Sequence, residues 1–327
     1  MSKRARFRFL DLPTVVTRNV LSTMDPFDIF DLSRTSKRCR SYSKFKKFPS
    51  DNLIIFLEKV PHLLIEYYDG NFYEFVMTDE KEKDRKRETE FDEYNGIRIE
   101  TVLVYSDNIM KDFNKLYRNV ISVMNKKIQT VGFWINLLEG RIEESVRWAK
   151  MRFPKIERIH INGPNVPQKD VQYVLDNIKP TFRLRITAET NEKLPSRIEG
   201  SFEQLRVGYG SWITVDHAMN FNFPYVTLMG TNITNQELNM ILKNWIDMKC
   251  HLNTKQLEIN LTDRENFLDT VLENIPYEIA EPMELVNPKH SILGEGYYIK
   301  RIDGLTASIY IFEGSEGIFL CYCFNEE

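Results

Sequence analysis

The sequence predicts an α+β/α/β chain. Three short helices form a head, a β/α repeat-like parallel sheet forms the body, and an antiparallel β-meander ends it. Three observations predict this. Apolar residues recur at helical spacing behind Leu12-Pro13 and Asp25-Pro26. From Ile97 onward, period-two and period-3.6 segments take turns. After Gly296, three period-two segments follow one another with no helical pattern between them.

In the head, Leu12-Pro13 reads as a helix start. Proline at the first helical position loses no hydrogen bond and has its backbone angle pre-set. Val16, Val20 and Met24 follow at four-residue spacing, with Leu21 beside them, as one apolar face. Asp25 can cap the next helix and Pro26 can open it. Asp31 and Ser33 are candidate caps for a third helix, on which Leu32, Thr35-Ser36, Cys39 and Tyr42 share a face. So short a segment has more apolar surface than it can bury alone. Below about 40 residues a domain needs disulfides, a metal or a partner. The head has neither a cysteine pair nor metal-ligand spacing, so another chain or the rest of this one must cover it.

Residues 7–48 resemble an F-box. The resemblance rests on Leu12-Pro13, Val16, Val20-Leu21, Met24, Asp25-Pro26-Phe27, Ile29, Asp31-Leu32-Ser33 and Thr35-Ser36-Lys37-Arg38-Cys39-Arg40. The stretch from Met24 to Arg40 is especially similar to the F-boxes of the large nematode families. Generic F-boxes often end with an aromatic, commonly a tryptophan, a few residues past the basic run, where this chain has Tyr42 and Phe45. The resemblance implies docking onto the small Skp-type adaptor and, through it, a cullin. It implies that Leu12, Pro13, Val16, Leu21, Met24, Ile29, Leu32 and Ser33 lie at or just under that interface. Some of these must be the head's internal core.

Behind the head, Leu53–Leu57, Leu63–Tyr68 and Phe72–Val76 read as strands, with Asp69-Gly70 or Gly70-Asn71 as a hairpin turn. Residues 79–93 are so densely charged that they read as an exposed, mobile loop. Ile97–Tyr105 resumes as a strand. Ser106 or Asp107 opens a helix with Ile109, Phe113, Leu116-Tyr117, Val120 and Met124 on one face. Next come a strand over 128–138, a helix marked by Ile142, Val146 and Ala149, a strand marked by Ile156, Ile159 and Ile161, and a helix opened by Pro167. Phe182–Ile186 alternates as a strand, and shorter strands are expected near Leu205–Val207 and Ile213–Val215. Tyr225–Met229 is another strand. Thr234 and Glu237 form a capping box before Leu238, Ile241-Leu242 and Trp245. Leu257, Ile259 and Leu261 alternate, and Thr262 with Glu265 forms a second capping box. The meander comprises Gly296–Ile302, Thr306–Phe312 and Gly317–Phe324, with Asp303-Gly304 as its first turn.

Neighbouring strand centres in the body lie about 25–31 residues apart, which makes the body leucine-rich-repeat-like in period, although the leucine consensus is absent. A closed three-layer α/β domain is the competing architecture. Residues from about 198 to 275 resemble the type-two F-box-associated region of nematode F-box proteins. The carrying residues are Thr231–Thr234, Leu238-Asn239, Ile241–Ile246, Leu252 and Leu257–Ile259. The family's Phe-Leu-Lys and Trp-Ile-Gly are replaced here by Ile241-Leu242-Lys243 and Trp245-Ile246-Asp247. Such regions are taken to hold the substrate. The expected division is F-box 6–50, connecting strands, charged loop and helix 51–125, and α/β F-box-associated region 126–327.

Composition narrows the function. The chain has 327 residues, 42% hydrophobic and 28% charged, with net charge −3. No clustered basic excess points to nucleic acid. The run Lys37, Arg38, Arg40, Lys44, Lys46 and Lys47 reads as a solvated helix face. Four cysteines fit neither a disulfide framework nor a zinc site, so a reducing compartment, cytoplasmic or nuclear, is expected. Cys321 and Cys323 alternate around Tyr322 and share a strand face. No apolar stretch is long enough for a membrane span.

Motifs for chemistry are sparse. None of the five histidines has metal-ligand spacing. Asp216-His217 are neighbours in a segment read as extended, so they point to opposite faces. His160, between Ile159 and Ile161, points away from the core. Gly208-Tyr209-Gly210 lacks the third glycine of a phosphate cradle. Trp245 reads as core. Tyr209 and Trp212, among glycines, are the candidate substrate contacts. No catalytic residue, metal or cofactor is expected.

The reading is a non-enzymatic substrate receptor of a cullin-RING ubiquitin ligase, linking the adaptor to an unknown protein target. One alternative is a recognition module that acts with the adaptor alone. The other is an uncharacterised enzyme with a site in the body.

Overall fold

Pro13 and Asp25-Pro26 punctuate the head where the sequence puts them. In this computed structural model α1 (Thr14–Thr23) follows Pro13 directly, and Asp25 caps α2 (Pro26–Thr35), its Oδ1 accepting the Asp28 N–H at 2.8 Å. The third helix, α3 (Lys37–Ser43), is capped by Ser36 through the Cys39 N–H at 3.1 Å. Asp31 and Ser33 are therefore not its caps. Both lie inside α2, where Ser33 donates back to the Phe30 carbonyl at 2.7 Å. The inward face of α1 carries Thr17 and Leu21, and Thr17 Oγ1 donates to the Pro13 carbonyl. Val16 and Val20 lie on the outer side.

The structure describes residues 9–48, 50–67, 70–92, 96–190, 192, 194, 198–261, 266–280, 291–292, 295–314 and 317–324. The chain divides into two units, one ending at Gly132 and the other beginning at Phe133.

Behind the head, the first unit holds β1 (Ser50–Leu57), β2 (His62–Tyr67), β3 (Phe72–Thr78), β4 (Arg87–Asp92), β5 (Ile97–Tyr105) and α4 (Ile109–Met124). The strand order is β1-β2-β3-β5-β4, with β3 and β5 parallel and the other neighbours antiparallel. Gly70, at φ 82°, closes the β2–β3 turn by donating to the Tyr67 carbonyl, and Asp69 lies outside the described residues. Asn108 caps α4, while Ser106 donates to Asp112 on its first turn. Gly132 approaches β1 so closely that a Cβ there would collide with the Phe56 ring.

The head shares its core with this sheet. Phe27 meets Phe75 edge-on at 5.0 Å and Tyr73 at 5.6 Å. Phe30 meets Phe75 at 5.0 Å and stacks on Phe48 at 6.1 Å. The segment 79–93 is not one loose loop. Lys81–Lys83 form a short 3-10 turn and Arg87–Asp92 form β4, the edge strand, paired to β5 along its length. A strand of alternating charge suits an edge, because it discourages pairing with another chain.

Strand β6 (Thr130–Trp134) spans the boundary between the units, and Ile135–Leu137 turn out of it as 3-10 helix, so the strand expected over 128–138 is shorter. The second unit continues with α5 (Ile142–Arg152), β7 (Arg158–Gly163), α6 (Gln168–Asn177), β8 (Arg183–Ala188), β9 (Gln204–Val207) and α7 (Val215–Asn220). Then come β10 (Tyr225–Leu228), α8 (Asn235–Ile246), β11 (Gln256–Asn260), β12 (Tyr277–Ala280), β13 (Ser291–Ile292), β14 (Gly296–Lys300), β15 (Thr306–Gly314) and β16 (Gly317–Phe324). Strands β7 to β11 pair parallel in chain order. At β11 the run stops, because β16 returns antiparallel and leads through β15 and β14 to β12, with β13 beside β15. The sheet is thus mixed, not purely parallel.

Burial in the parallel run alternates. Ile159, Ile161, Leu184, Ile186, Leu205, Val207, Val226, Leu228, Leu257 and Ile259 are buried. The residues between them are half-buried or exposed. A parallel sheet covered on both faces would read as continuous apolar runs. Among the described residues one face of this run carries the fully buried apolar side chains and the other is half-buried or exposed. The Thr234–Glu237 capping box forms as expected, with the Glu237 carboxylate accepting the Thr234 N–H at 2.8 Å. The segment 213–215 is not a strand, because Thr214 caps α7 through the N–H and ring of His217. The box expected at Thr262 and Glu265 lies outside the described residues, and Phe267–Val271 behind it form a π-helical turn.

Phe30 carries the shared core of the first unit. Phe30→Ala is expected to destabilise that unit by about 3–5 kcal/mol, read as a lower urea midpoint. Val15→Ala on the outer face of α1 should stay within about 0.5 kcal/mol of wild type.

Candidate interaction surfaces

Helix geometry decides which head residues reach the surface. Leu21, Ile29 and Ser33 are buried, and Asn119 on α4 donates to Ser33 Oγ at 3.0 Å. These three serve the head's own packing. Leu12, Met24 and Leu32 are half-buried, and Pro13 is exposed. Val15 is 69% and Val16 42% exposed. Val16 and Val20 are four residues apart on one side of α1, and Leu12 and Met24 flank the helix at its two ends. The result is an apolar line at the surface, flanked by Pro13 and Val15.

Charged residues fix this head to its own strands. Arg87 on β4 donates to Asp25 at 2.9 Å and Asp28 at 2.6 Å, and lies 5.3 Å over the Phe27 ring. Arg85 pairs with Asp31 at 3.0 Å. The N-terminal end of α2 is thus held by the segment whose charge density had suggested a free loop. Lys46 donates to the Ser22 carbonyl at 3.1 Å and also to that of Met24, at the C-terminal end of α1, and burial lowers its pKa. Lys37, Arg38, Arg40, Lys44 and Lys47 of the basic run are exposed. Arg34 and Arg40 face Asp112, Lys115 and Asn119 of α4 across a cavity of about 310 Å³.

In the second unit the open face of the parallel run carries the polar side chains. Register stacks them in two rows. One runs Arg158, Arg183, Gln204, Tyr225, Gln256, Cys323, and the other His160, Arg185, Arg206, Thr227, Glu258, Cys321. The β16 end of this face is apolar, where Met229, Phe312, Phe319 and Cys321 form a buried cluster. Cys321 and Cys323 share the face, with their Sγ atoms 3.3 Å apart.

The candidate substrate contacts separate. Tyr209, on the loop after β9, is 55% exposed. Trp212 is only 3% exposed and packs edge-on against His217 at 5.4 Å. It is a core residue and not a surface contact, because the turn that caps α7 folds it inward. Trp245 is buried against Tyr322 as expected.

Three of the described histidines, His160, His217 and His251, are held largely out of solvent. His217 accepts at Nδ1 from Thr214 and meets the Leu194 carbonyl through Nε2 at 2.9 Å. It lies with Asp216 in a helix and not in an extended segment. Burial, reinforced by Arg185, Arg183 and Arg158, pushes His160 down to about 4, and burial does the same to His251. Burial pushes the Cys250 thiol up to about 12, which leaves it unreactive. Among the described residues no cluster of His, Cys, Asp or Glu could hold a metal ion, and no helix is long and apolar enough to cross a membrane.

Comparison with known proteins places families on both parts of the chain. A family model described as the F-box domain matches residues 9–51, and one described as F-box associated matches residues 194–259. The chain is similar to the Caenorhabditis elegans protein named Skn-1 dependent zygotic transcript 15 protein. The two are 24% identical over 91% of this chain and 92% of that protein. No solved structure matches.

The buried imidazoles give a pH dependence. In the folded chain His160 and His251 stay neutral down to about pH 4. An unfolded histidine takes its proton near pH 6.5. Unfolding therefore binds protons in that window, and stability falls as pH drops through it, by on the order of a few kcal/mol. His160→Gln is expected to flatten part of this fall in urea midpoints measured across the window. Parallel curves for variant and wild type would contradict the assignment.

Proposed function

We propose that this F-box protein, with its F-box-associated region, is the substrate-recognition subunit of a cullin-RING ubiquitin ligase. The head takes the Skp-type adaptor, and through it a cullin, and the second unit takes a protein target. The observation that carries the adaptor half is the apolar line Leu12–Val16–Val20–Met24. It stays at the surface of a head whose Leu21, Phe27, Ile29, Phe30 and Phe48 are covered by its own chain. An apolar line rimmed by polar residues fits a protein partner.

The target half is supported by the match at residues 194–259 and by the open face of the parallel run. Strands placed side by side in chain order, with one face uncovered, also fit the repeat-like reading of the body. Binding surfaces in such arrays lie along the uncovered face. The protein acts by proximity: it raises the effective concentration of target lysines near the ubiquitin-charged enzyme and supplies no proton chemistry itself. The reading carries a cytoplasmic or nuclear location with it.

Val15→Asp with Val16→Asp tests the reading at positions that are already solvated. The double variant is expected to keep the wild-type urea midpoint and to lose the adaptor and cullin in affinity purification, with at least about a tenfold drop in adaptor recovered. Undiminished adaptor recovery would overturn the docking face. Adaptor recovered without cullin, from wild type, would favour a recognition module that recruits no ligase.

A further inference from the structure

Cys321 and Cys323 differ from the other cysteines because each has a second thiol within reach. They are two residues apart on β16, so both side chains leave the strand on one face. Their Sγ atoms lie 3.3 Å apart, close enough for one thiol to donate a hydrogen bond to the other. Cys250, in the same unit, is the contrast. It donates to the Ile241 carbonyl at 3.7 Å, and burial pushes it up to about 12. Cys39 is buried in the head.

Strand register sets the surroundings of the pair. On β11, Glu258 stands opposite Cys321 and Gln256 opposite Cys323. On β15, Tyr310 and Ser308 hold the corresponding places. Toward Phe319 the face is apolar, where Met229, Phe312, Phe319 and Cys321 are buried together. Cys323 packs at the margin of that cluster and is half-buried, whereas Cys321 is only 4% exposed. A small solute therefore meets Cys323 first.

The two thiols differ in acidity as well. The hydrogen bond from Cys321 favours a thiolate at Cys323 and holds it below the ordinary thiol value, against burial and the Glu258 carboxylate. The same hydrogen bond, together with burial, pushes Cys321 up. Thiolates, and not thiols, are the nucleophiles of cysteine chemistry. One sulfur is thus suited to attack, and a protonated second one touches it.

Chain geometry permits a bond between them. Residues two apart on a strand have Cα atoms about 6.4–6.8 Å apart. Bridged cysteines span about 4.4–6.8 Å. The pair sits at the long end of that range, where a bridge is more easily reduced than a relaxed one.

We propose that Cys321 and Cys323 form a peroxide-sensitive dithiol, oxidised reversibly to a disulfide within β16. The Cys323 thiolate attacks one oxygen of hydrogen peroxide. The O–O bond breaks and hydroxide leaves, so Cys323 becomes a sulfenic acid and the peroxide is reduced. The Cys321 sulfur then attacks the Cys323 sulfur. The S–O bond breaks, and the departing hydroxide takes the Cys321 proton as water. The first hydroxide takes up the proton that Cys323 released. Two thiols and one peroxide thus become one disulfide and two waters. This chemistry stands apart from the receptor reading, since it needs no partner protein.

The test treats the folded full-length chain with hydrogen peroxide, removes the excess, alkylates free thiols with iodoacetamide in denaturant, and maps the peptides by mass spectrometry. Cys321 and Cys323 are expected to escape alkylation together, in a peptide lighter by two hydrogens, while Cys39 and Cys250 are alkylated. Reduced glutathione should make the pair alkylatable again. Cys321→Ser should stop at the sulfenic acid on Cys323, which dimedone traps. Cys323→Ser should slow oxidation of Cys321 at least about tenfold. The wild-type map decides the site even where a serine variant fails to fold. A folded chain that keeps both thiols free, or one in which Cys39 or Cys250 oxidises as fast, would overturn the site. Oxidation of Cys321 at the wild-type rate in Cys323→Ser would overturn the attacking sulfur. A bridge that reduced glutathione leaves intact would overturn reversibility.

Discussion

A head of three short helices cannot close a core on its own, and the packing of Phe27 and Phe30 against Phe75 is how this one manages. Phe75 lies on β3, so the helical segment and the sheet behind it share one set of buried aromatics. This determines what is left over. Phe27, Ile29, Phe30 and Ser33 of α2 are spent on internal packing, and α1 turns Thr17 and Leu21 inward. Among the apolar residues that remain outside are those of the opposite side of α1, Val15 and Val16. An apolar line stays uncovered here because helices so small have two apolar sides and only one is packed against the sheet.

The charges follow from the same packing. Once α2 lies on the sheet, its N-terminal carboxylates Asp25 and Asp28 come beside the edge strand, and Arg87 closes on both while covering the Phe27 ring. Exposed ion pairs are individually weak, typically below about 1 kcal/mol. One arginine that joins two carboxylates and an aromatic ring ties three contacts to one side chain. It fixes the angle of the helix more than it adds stability.

Much of this was legible in the sequence wherever the signal is local. Asp25-Pro26, the Thr234–Glu237 box, the alternation of Leu184 and Ile186, and the burial of Trp245 all follow from neighbours within a few residues. The signals that failed depend on distant partners. The segment 79–93 looked unstructured because its charge has nothing nearby to bury, but the partners of Arg85 and Arg87 are Asp31, Asp25 and Asp28, some sixty residues earlier. Trp212 looked like a loop aromatic because nothing in the local pattern announces that Thr214 caps α7 with the His217 ring accepting from it in return. Asp31 and Ser33 looked like caps because helix α2 runs one turn further than its composition suggests, and Ser36 takes that role.

The arginine rows were hidden for a different reason. Arg183 and Arg185 alternate with Leu184 and Ile186, which by itself says only that one strand face is polar. Their placement depends on register, since Arg158 comes from a segment about 25 residues earlier and Arg206 from one about 20 residues later, and both meet them only when the strands pair in parallel. Parallel pairing in chain order is thus what turns scattered basic residues into a strip. A one-residue slip in any of these strands would send its arginines to the covered face, where burying an unpaired charge is prohibitive. The same alternation that buries Ile159, Leu184 and Leu205 therefore holds the charges at the surface. The covered and the polar face both depend on one register.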